Sequence, residues 1–225
     1  MEKDIEKETS ADRLGKFILK NRKVIVSAVC VVAVLSVGYG VSSVVMEKNA
    51  AAGLAKVDAI SFQLTNKSDQ LTDDEMSARL DKALSQLQPL VSQKGVVGSR
   101  ANLVAGNASF IKKDWESARS YYLAVVSADK DAYTAPIAYY KAAVCSEELH
   151  DADAALKYYQ IAADANDFEE ESHALFNIGR IKETRQDYTG AADAYRKLID
   201  KNMGDTWSAL AKTQMIKLQV SGKVQ

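Results

Sequence analysis

The stretch DWESARSYY, residues 114–122, returns as DADAALKYY at residues 151–159 and as DYTGAADAY at residues 187–195. Each copy opens with an aspartate, carries an alanine four residues later and a tyrosine four residues beyond that. The alanines Ala118, Ala155 and Ala191 are 37 and 36 residues apart. Side chains four residues apart share one helix face, so the small residue lets two helices approach and the aromatic ring fills the space between neighbouring hairpins. The spacing predicts a stack of helical hairpins.

A small residue also recurs upstream of each copy, at Gly106, Ala143 and Gly179. Together these positions resemble the tetratricopeptide repeat, a helical hairpin of 34 residues, over residues 99–202. Aromatic residues near the middle of the motif match at Trp115 and Tyr188, whereas Ala152 departs from the pattern. The tryptophan expected early in the first helix is missing. The resemblance implies an all-α helical-hairpin solenoid.

The segments flanking these repeats complete the predicted domain order. Residues 99–204 form three repeats, and residues 205–225 form a capping helix and tail, because a repeat stack needs its last apolar face covered. Residues 47–97 form a degenerate hairpin, whose second helix opens with a capping box at Thr72 and Glu75.

The run VIVSAVCVVAVLSVGYGVSSVVM, residues 24–46, contains no charged residue. A helix needs roughly 20 apolar residues to cross a bilayer core. The run therefore predicts a transmembrane helix, with a buried soluble helix as the alternative. A cleaved signal peptide fits less well, since signal h-regions run about 7 to 15 residues.

The charges beside this run predict its orientation. Lys16, Lys20, Arg22 and Lys23 crowd the N-terminal side, whereas Lys48 stands nearly alone on the other. The positive-inside rule places residues 1–23 in the cytoplasm as a short tail and exports the rest. In a bacterium this is a single-pass inner-membrane protein with a periplasmic repeat domain.

Composition and motifs argue against nucleic-acid binding, metal binding and catalysis. The 29 Lys and Arg residues balance 30 Asp and Glu, so a nucleic-acid partner is not indicated. Neither His150 nor His173 has a second His or Cys nearby, so no metal site is predicted. No phosphate loop or nucleophile elbow occurs. We predict no enzyme activity, no cofactor and no small-molecule substrate.

The resemblance to tetratricopeptide arrays implies a protein-binding groove lined by four positions of each first helix. Its mixture of aliphatic, aromatic and charged side chains suits an amphipathic helix or an unfolded segment. Of the lysine and asparagine set used by the carboxylate-clamp subtype, only Asn107 is present. Alternatively, several of the aromatic residues pack into the neighbouring repeat. The predicted residues are Arg100, Leu103, Asn107 and Phe110; Ile137, Tyr140, Val144 and Glu147; His173, Phe176, Arg180 and Glu183; and Trp207, which extends the row.

The whole layout, a charged tail, one span and a few repeat hairpins outside, resembles the ancillary subunit family of the bacterial Sec translocon. That resemblance implies protein partners: Sec translocon subunits, periplasmic chaperones or exported client proteins. A scaffold for an envelope complex, in division or outer-membrane assembly, is the alternative. Self-association through the span and the repeats is a third.

Overall fold

The computed structural model describes residues 10–225, and the first nine residues of the predicted cytoplasmic tail lie outside this range. Contacts divide the chain into two compact units, residues 1–51 and 52–225. In the first unit, helix α1 (Ser10–Lys20) precedes the long helix α2 (Arg22–Thr65), which extends into the second unit.

Helix α2 contains an apolar stretch whose mean hydropathy is 2.5 and none of which is buried by protein. Val34, Leu35 and Tyr39 all keep at least 66% of their surface exposed. By length and composition, this stretch is sufficient to cross a membrane.

The second unit is a succession of antiparallel helices. Helices α4 and α5, α6 and α7, and α8 and α9 form three hairpins, each of which packs on the next, and α10 covers the last. The described residues therefore confirm the predicted all-α, tetratricopeptide-like solenoid with a C-terminal helix. After a 3₁₀ turn at Ser68–Gln70, the helices are α3 (Asp73–Val91), α4 (Gly95–Ile111), α5 (Trp115–Ala128), α6 (Ala135–Glu148), α7 (Ala152–Ala163), α8 (Glu171–Thr184), α9 (Tyr188–Lys201) and α10 (Thr206–Val220).

The same type of turn connects the two helices of each hairpin: it ends the first helix and caps the start of the second. In the first hairpin, Lys113 takes the left-handed conformation with φ 60°. The amides of Lys113 and Asp114 donate back to the carbonyls of Phe110 and Ser109, at 2.9 and 3.0 Å, which is a Schellman motif. The Asp114 carboxylate then accepts from the Ser117 amide as the N-cap of α5. The same turn recurs at His150–Asp151 and Gln186–Asp187.

Buried tyrosines occupy the centre of each hairpin. Tyr122, Tyr159 and Tyr195 are at most 1% exposed. The Tyr122 ring lies directly against Gly106 of its own hairpin, and it also joins a cluster with Ala142 of the next hairpin. The tyrosine ring therefore packs both within its own hairpin and against the next one. The sequence predicted only its packing between hairpins.

Residues 52–91 bury apolar side chains from both α2 and α3. Val57 and Ile60 of α2 are buried, as are Leu80, Leu87 and Leu90 of α3. The guanidinium group of Arg79 donates to two carbonyls at the end of α2 and just after it, those of Gln63 and Asn66.

The predicted capping box at the start of α3 is confirmed. The Thr72 hydroxyl accepts from the Glu75 amide, and the Glu75 carboxylate accepts from the Thr72 amide at 2.9 Å. This reciprocal pair satisfies two amides that the helix itself leaves free.

Replacing Gly106 by alanine should destabilise the solenoid. A Cβ atom at this position would lie 2.6 Å from Cε1 of Tyr122, whose side chain is fully buried, so the ring or the helix would have to shift. Overpacking costs about 1–3 kcal/mol and should outweigh the helix-propensity gain of about 1 kcal/mol. Urea unfolding of the full-length chain in detergent, followed by circular dichroism, measures the difference. Gly204→Ala is the control, since nothing lies within 4 Å of that site; a Gly106→Ala chain as stable as the parent would contradict the packing argument.

Candidate protein-binding groove

The predicted groove residues lie on the first helices of the three hairpins and on α10. Contacts between the first helices of neighbouring hairpins, and between α8 and α10, join several of them: Tyr140 lies near His173, Glu147 near Arg180, and His173 near Trp207. Phe110 of α4 lies near Lys141, the residue that follows Tyr140 on α6. We call the predicted set the groove row. Arg100 and Arg180 are exposed, whereas the other members are half-buried: Leu103, Asn107, Phe110, Ile137, Tyr140, Val144, Glu147, His173, Phe176, Glu183 and Trp207.

Aromatic rings fill the C-terminal half of the groove row. The His173 and Trp207 rings stack with their centroids 3.8 Å apart, and Phe176 lies 5.3 Å from Trp207. The Tyr140 hydroxyl lies 2.6 Å from Nδ1 of His173. Its ring also contacts that of Phe168, 6.0 Å away. These contacts match the alternative in which groove aromatics pack on neighbouring repeats, and burial raises the pKa of Tyr140 to about 12.

Polar members of the groove row bind the hydroxyl groups of the buried tyrosines. Tyr159 donates to Glu147 at 2.7 Å, and Tyr195 donates to Glu183 at 3.2 Å. In the first hairpin, where Phe110 replaces the glutamate, Asn107 instead accepts from Tyr122 at 3.0 Å. These side chains are therefore part of the packing as well as of the surface.

One ion pair links two hairpins across the groove row, between Arg180 and Glu147. Glu147 thus holds both a tyrosine hydroxyl and a guanidinium group. Burial and the nearby Glu147 carboxylate raise the pKa of Tyr159 far above its ordinary value, so this tyrosine stays a hydrogen-bond donor.

A cavity of about 390 Å³ opens at the N-terminal end of the groove row. Phe110 and Asn107 belong both to its wall and to the groove row. The repeat pattern does not predict this cavity, because half of its lining residues come from α2, α3 and the turn between them, outside the repeats. The other lining residues are Ser61, Leu64, Thr65, Ser68, Met76, Leu80, Val104, Ala108, Ile111 and Lys141.

The two histidines have structural positions. His150 holds the left-handed turn position with φ 58°, and His173 belongs to the aromatic stack. Over residues 10–225, the side chain of Asp12 aside, no three His, Cys, Asp or Glu side chains come together as a metal ion would require.

Comparison with known proteins agrees with this architecture. Residues 147–206 match the family model of the tetratricopeptide repeat. A TPR repeat-containing protein of Treponema pallidum (strain Nichols) is 27% identical, over 93% of this chain and 95% of its own length. The crystal structure of the MamA protein superposes with a TM-score of 0.51 at 18% identity, covering 75% of this chain and 90% of that one, and thus shares the fold. Tetratricopeptide repeats define a protein–protein interaction module.

The position of His173 predicts a pH dependence of stability. Burial lowers the pKa of His173 below the ordinary 6.5, and Arg180 lowers it further, although Glu170 and Glu147 oppose this. As the pH falls below 6.5, the unfolded chain takes up a proton that the folded chain resists, so the free energy of unfolding should fall. Above 6.5 this contribution is fully present.

Urea unfolding midpoints at pH 7 and at lower pH measure this dependence, and His173→Gln should reduce the decrease. His150→Gln is the matched control for loss of a histidine, since Gln186 already occupies the same turn position in the third hairpin. If the unfolding midpoint decreases equally with falling pH in His173→Gln and in the parent chain, His173 is not the cause of the pH dependence.

Proposed function

We propose that this chain is a single-span adaptor of the bacterial inner membrane, with a cytoplasmic N-terminus and a periplasmic repeat domain. The observation that carries this is the uncovered apolar stretch of α2, residues 24–46, on a chain that also holds a protein-interaction module. The basic side chains before the stretch support the orientation. A bacterial relative that aligns over 93% of the chain supports the proposal that this is a bacterial protein.

The groove row is the proposed binding surface. Its side chains combine exposed charge, at Arg100 and Arg180, with half-buried apolar and aromatic groups, a composition that suits an amphipathic segment. The layout's resemblance to ancillary Sec translocon subunits supports the role: the groove row receives segments of newly exported proteins or holds a chaperone beside the channel.

A scaffold for an envelope complex is the second candidate, and one observation favours it. Tyr140, His173, Phe176 and Trp207 contact one another or nearby rings of the fold, which leaves less apolar surface for unfolded clients. A folded native partner needs less such surface, because shape complementarity contributes to its binding.

The orientation predicts which residues an impermeant reagent reaches. In a chain whose two native cysteines are replaced, Lys130→Cys should react with a membrane-impermeant maleimide on intact spheroplasts, since it lies in the exposed loop after α5. Lys20→Cys should react only after the membrane is opened. Labelling of Lys20→Cys on intact spheroplasts would reverse the orientation, and labelling of both would exclude a span.

Photo-crosslinking in native membranes should identify the partner. A photoreactive amino acid replaces Arg180, whose loss removes a partly exposed ion pair worth at most about 1 kcal/mol. Arg196 on α9 is the matched control, because it too is exposed and forms an ion pair, in its case with Asp193. Position 180 should crosslink to Sec subunits, chaperones or many exported chains, and position 196 should not.

A single envelope protein at position 180, with no translocon component, would replace the translocon role with the scaffold role. Crosslinks only between copies of this chain would establish self-association. Equal crosslinking at positions 180 and 196 would remove the groove row as the binding surface.

A further inference from the structure

The cavity at the N-terminal end of the groove row has predominantly apolar walls. Leu64 comes from α2, Met76 and Leu80 from α3, and Phe110 and Ile111 from α4. Ile111 is 59% exposed, so the apolar wall reaches the surface. The cavity volume of about 390 Å³ is ample for a bulky apolar side chain and part of its backbone.

One cation, Lys141 of α6, lines this cavity. Its ammonium group lies 5.9 Å from the centroid of the Phe110 ring and 5.7 Å from that of Tyr122. Burial lowers the pKa of Lys141, because the surrounding rings replace water around the charge.

Lys141 differs from the arginines of the groove row in its partners. Arg100 pairs with Asp58 at 2.9 Å, and Arg180 pairs with Glu147. Among residues 52–225, by contrast, no carboxylate forms a salt bridge with Lys141. A partly desolvated ammonium group without a counter-charge is electrostatically complementary to an anionic ligand.

We propose that this cavity binds a segment of a partner protein in which a bulky apolar side chain stands next to an aspartate or glutamate. The apolar side chain enters between α2, α3 and α4, and the carboxylate pairs with Lys141. Continuity with the groove row, through Asn107 and Phe110, makes a peptide segment the occupant rather than a small free ligand. The inference rests on the proposed protein-binding function and specifies the sequence that the groove row selects at this end.

Peptide selection on the full-length chain tests the proposal. The chain is held in phosphatidylcholine nanodiscs, a phage library of short random peptides is the probe, and empty nanodiscs remove lipid binders. The selected peptides should be enriched in Leu, Ile, Met or Phe adjacent to Asp or Glu. Each is then synthesised, labelled and measured by fluorescence anisotropy.

Two pairs of variants locate the binding site. Lys141→Glu should weaken binding by about tenfold or more, because it replaces an attraction by a repulsion. Lys157→Glu is the control, since Lys157 is an exposed lysine that also lies beside a tyrosine ring, 5.8 Å from the centroid of Tyr158. Ile111→Glu should weaken binding without disturbing the fold, because the side chain is largely exposed. Ile216→Glu is its control, at 60% exposure on α10.

A charge exchange makes the test specific. Peptides in which the acidic residue is replaced by lysine should lose binding to the parent chain and recover it on Lys141→Glu. Absence of acidic enrichment, or binding unchanged by both Lys141→Glu and Ile111→Glu, would overturn the proposal. The proposal would also be overturned if the parent chain dimerised without peptide and the Ile111→Glu variant were monomeric, since a second copy of the chain would then fill the cavity.

The outcomes also separate this inference from the proposed function. Peptides whose binding is lost on Arg180→Glu but kept on Lys141→Glu would leave the groove row as a binding surface and remove the cavity from it. No selection of peptides above empty nanodiscs would overturn this inference and the binding of unfolded segments by the groove row, and it would favour the scaffold candidate, whose partner is folded.

Discussion

The solenoid depends on a tyrosine ring packed against a small residue at the centre of each hairpin. Truncating a buried aromatic side chain costs about 3–5 kcal/mol, whereas a surface ion pair contributes about 0–1 kcal/mol. The exposed pairs between hairpins, such as Arg119 with Asp151, are therefore secondary to these rings. Tyr122 contacts both its own hairpin and the next one. This side chain therefore sets the distance between the two helices of its hairpin and the distance between that hairpin and the next.

The same tyrosines connect the core to the surface. A buried hydroxyl group needs a hydrogen-bond partner, and each of the three finds it on the groove row. Glu147 and Glu183 are consequently constrained by the core as well as by any ligand. A substitution at either position removes the hydrogen-bond partner of a buried tyrosine, so a charge on this surface is not by itself a sign of ligand recognition.

The sequence was sufficient for the features that repeat. Spacing predicted the hairpins, and the aspartate at the start of each copy marked the N-cap of the second helix. These predictions depend on local backbone geometry, which a few neighbouring residues determine. The groove positions came instead from the resemblance to tetratricopeptide arrays, and their role in binding stays a prediction.

The cavity and the aromatic stack could not be predicted in this way. The stack brings together Tyr140 of α6, His173 of α8 and Trp207 of α10, and its geometry depends on the rotation between successive hairpins and the terminal helix. The cavity depends on how α2 and α3 meet α4, and those helices lack the repeat pattern that would give their register. Lys141 was not predicted because it follows Tyr140 directly and is not itself one of the four groove positions of α6.

Each hairpin contacts chiefly its immediate neighbours, and α10 closes the series. Cooperativity in such an array is one-dimensional, and a perturbation weakens at every interface that it crosses. A ligand bound near α2 would therefore have little effect on the affinity of a ligand bound near α10, and the fold would let each end bind and release a segment independently of the other.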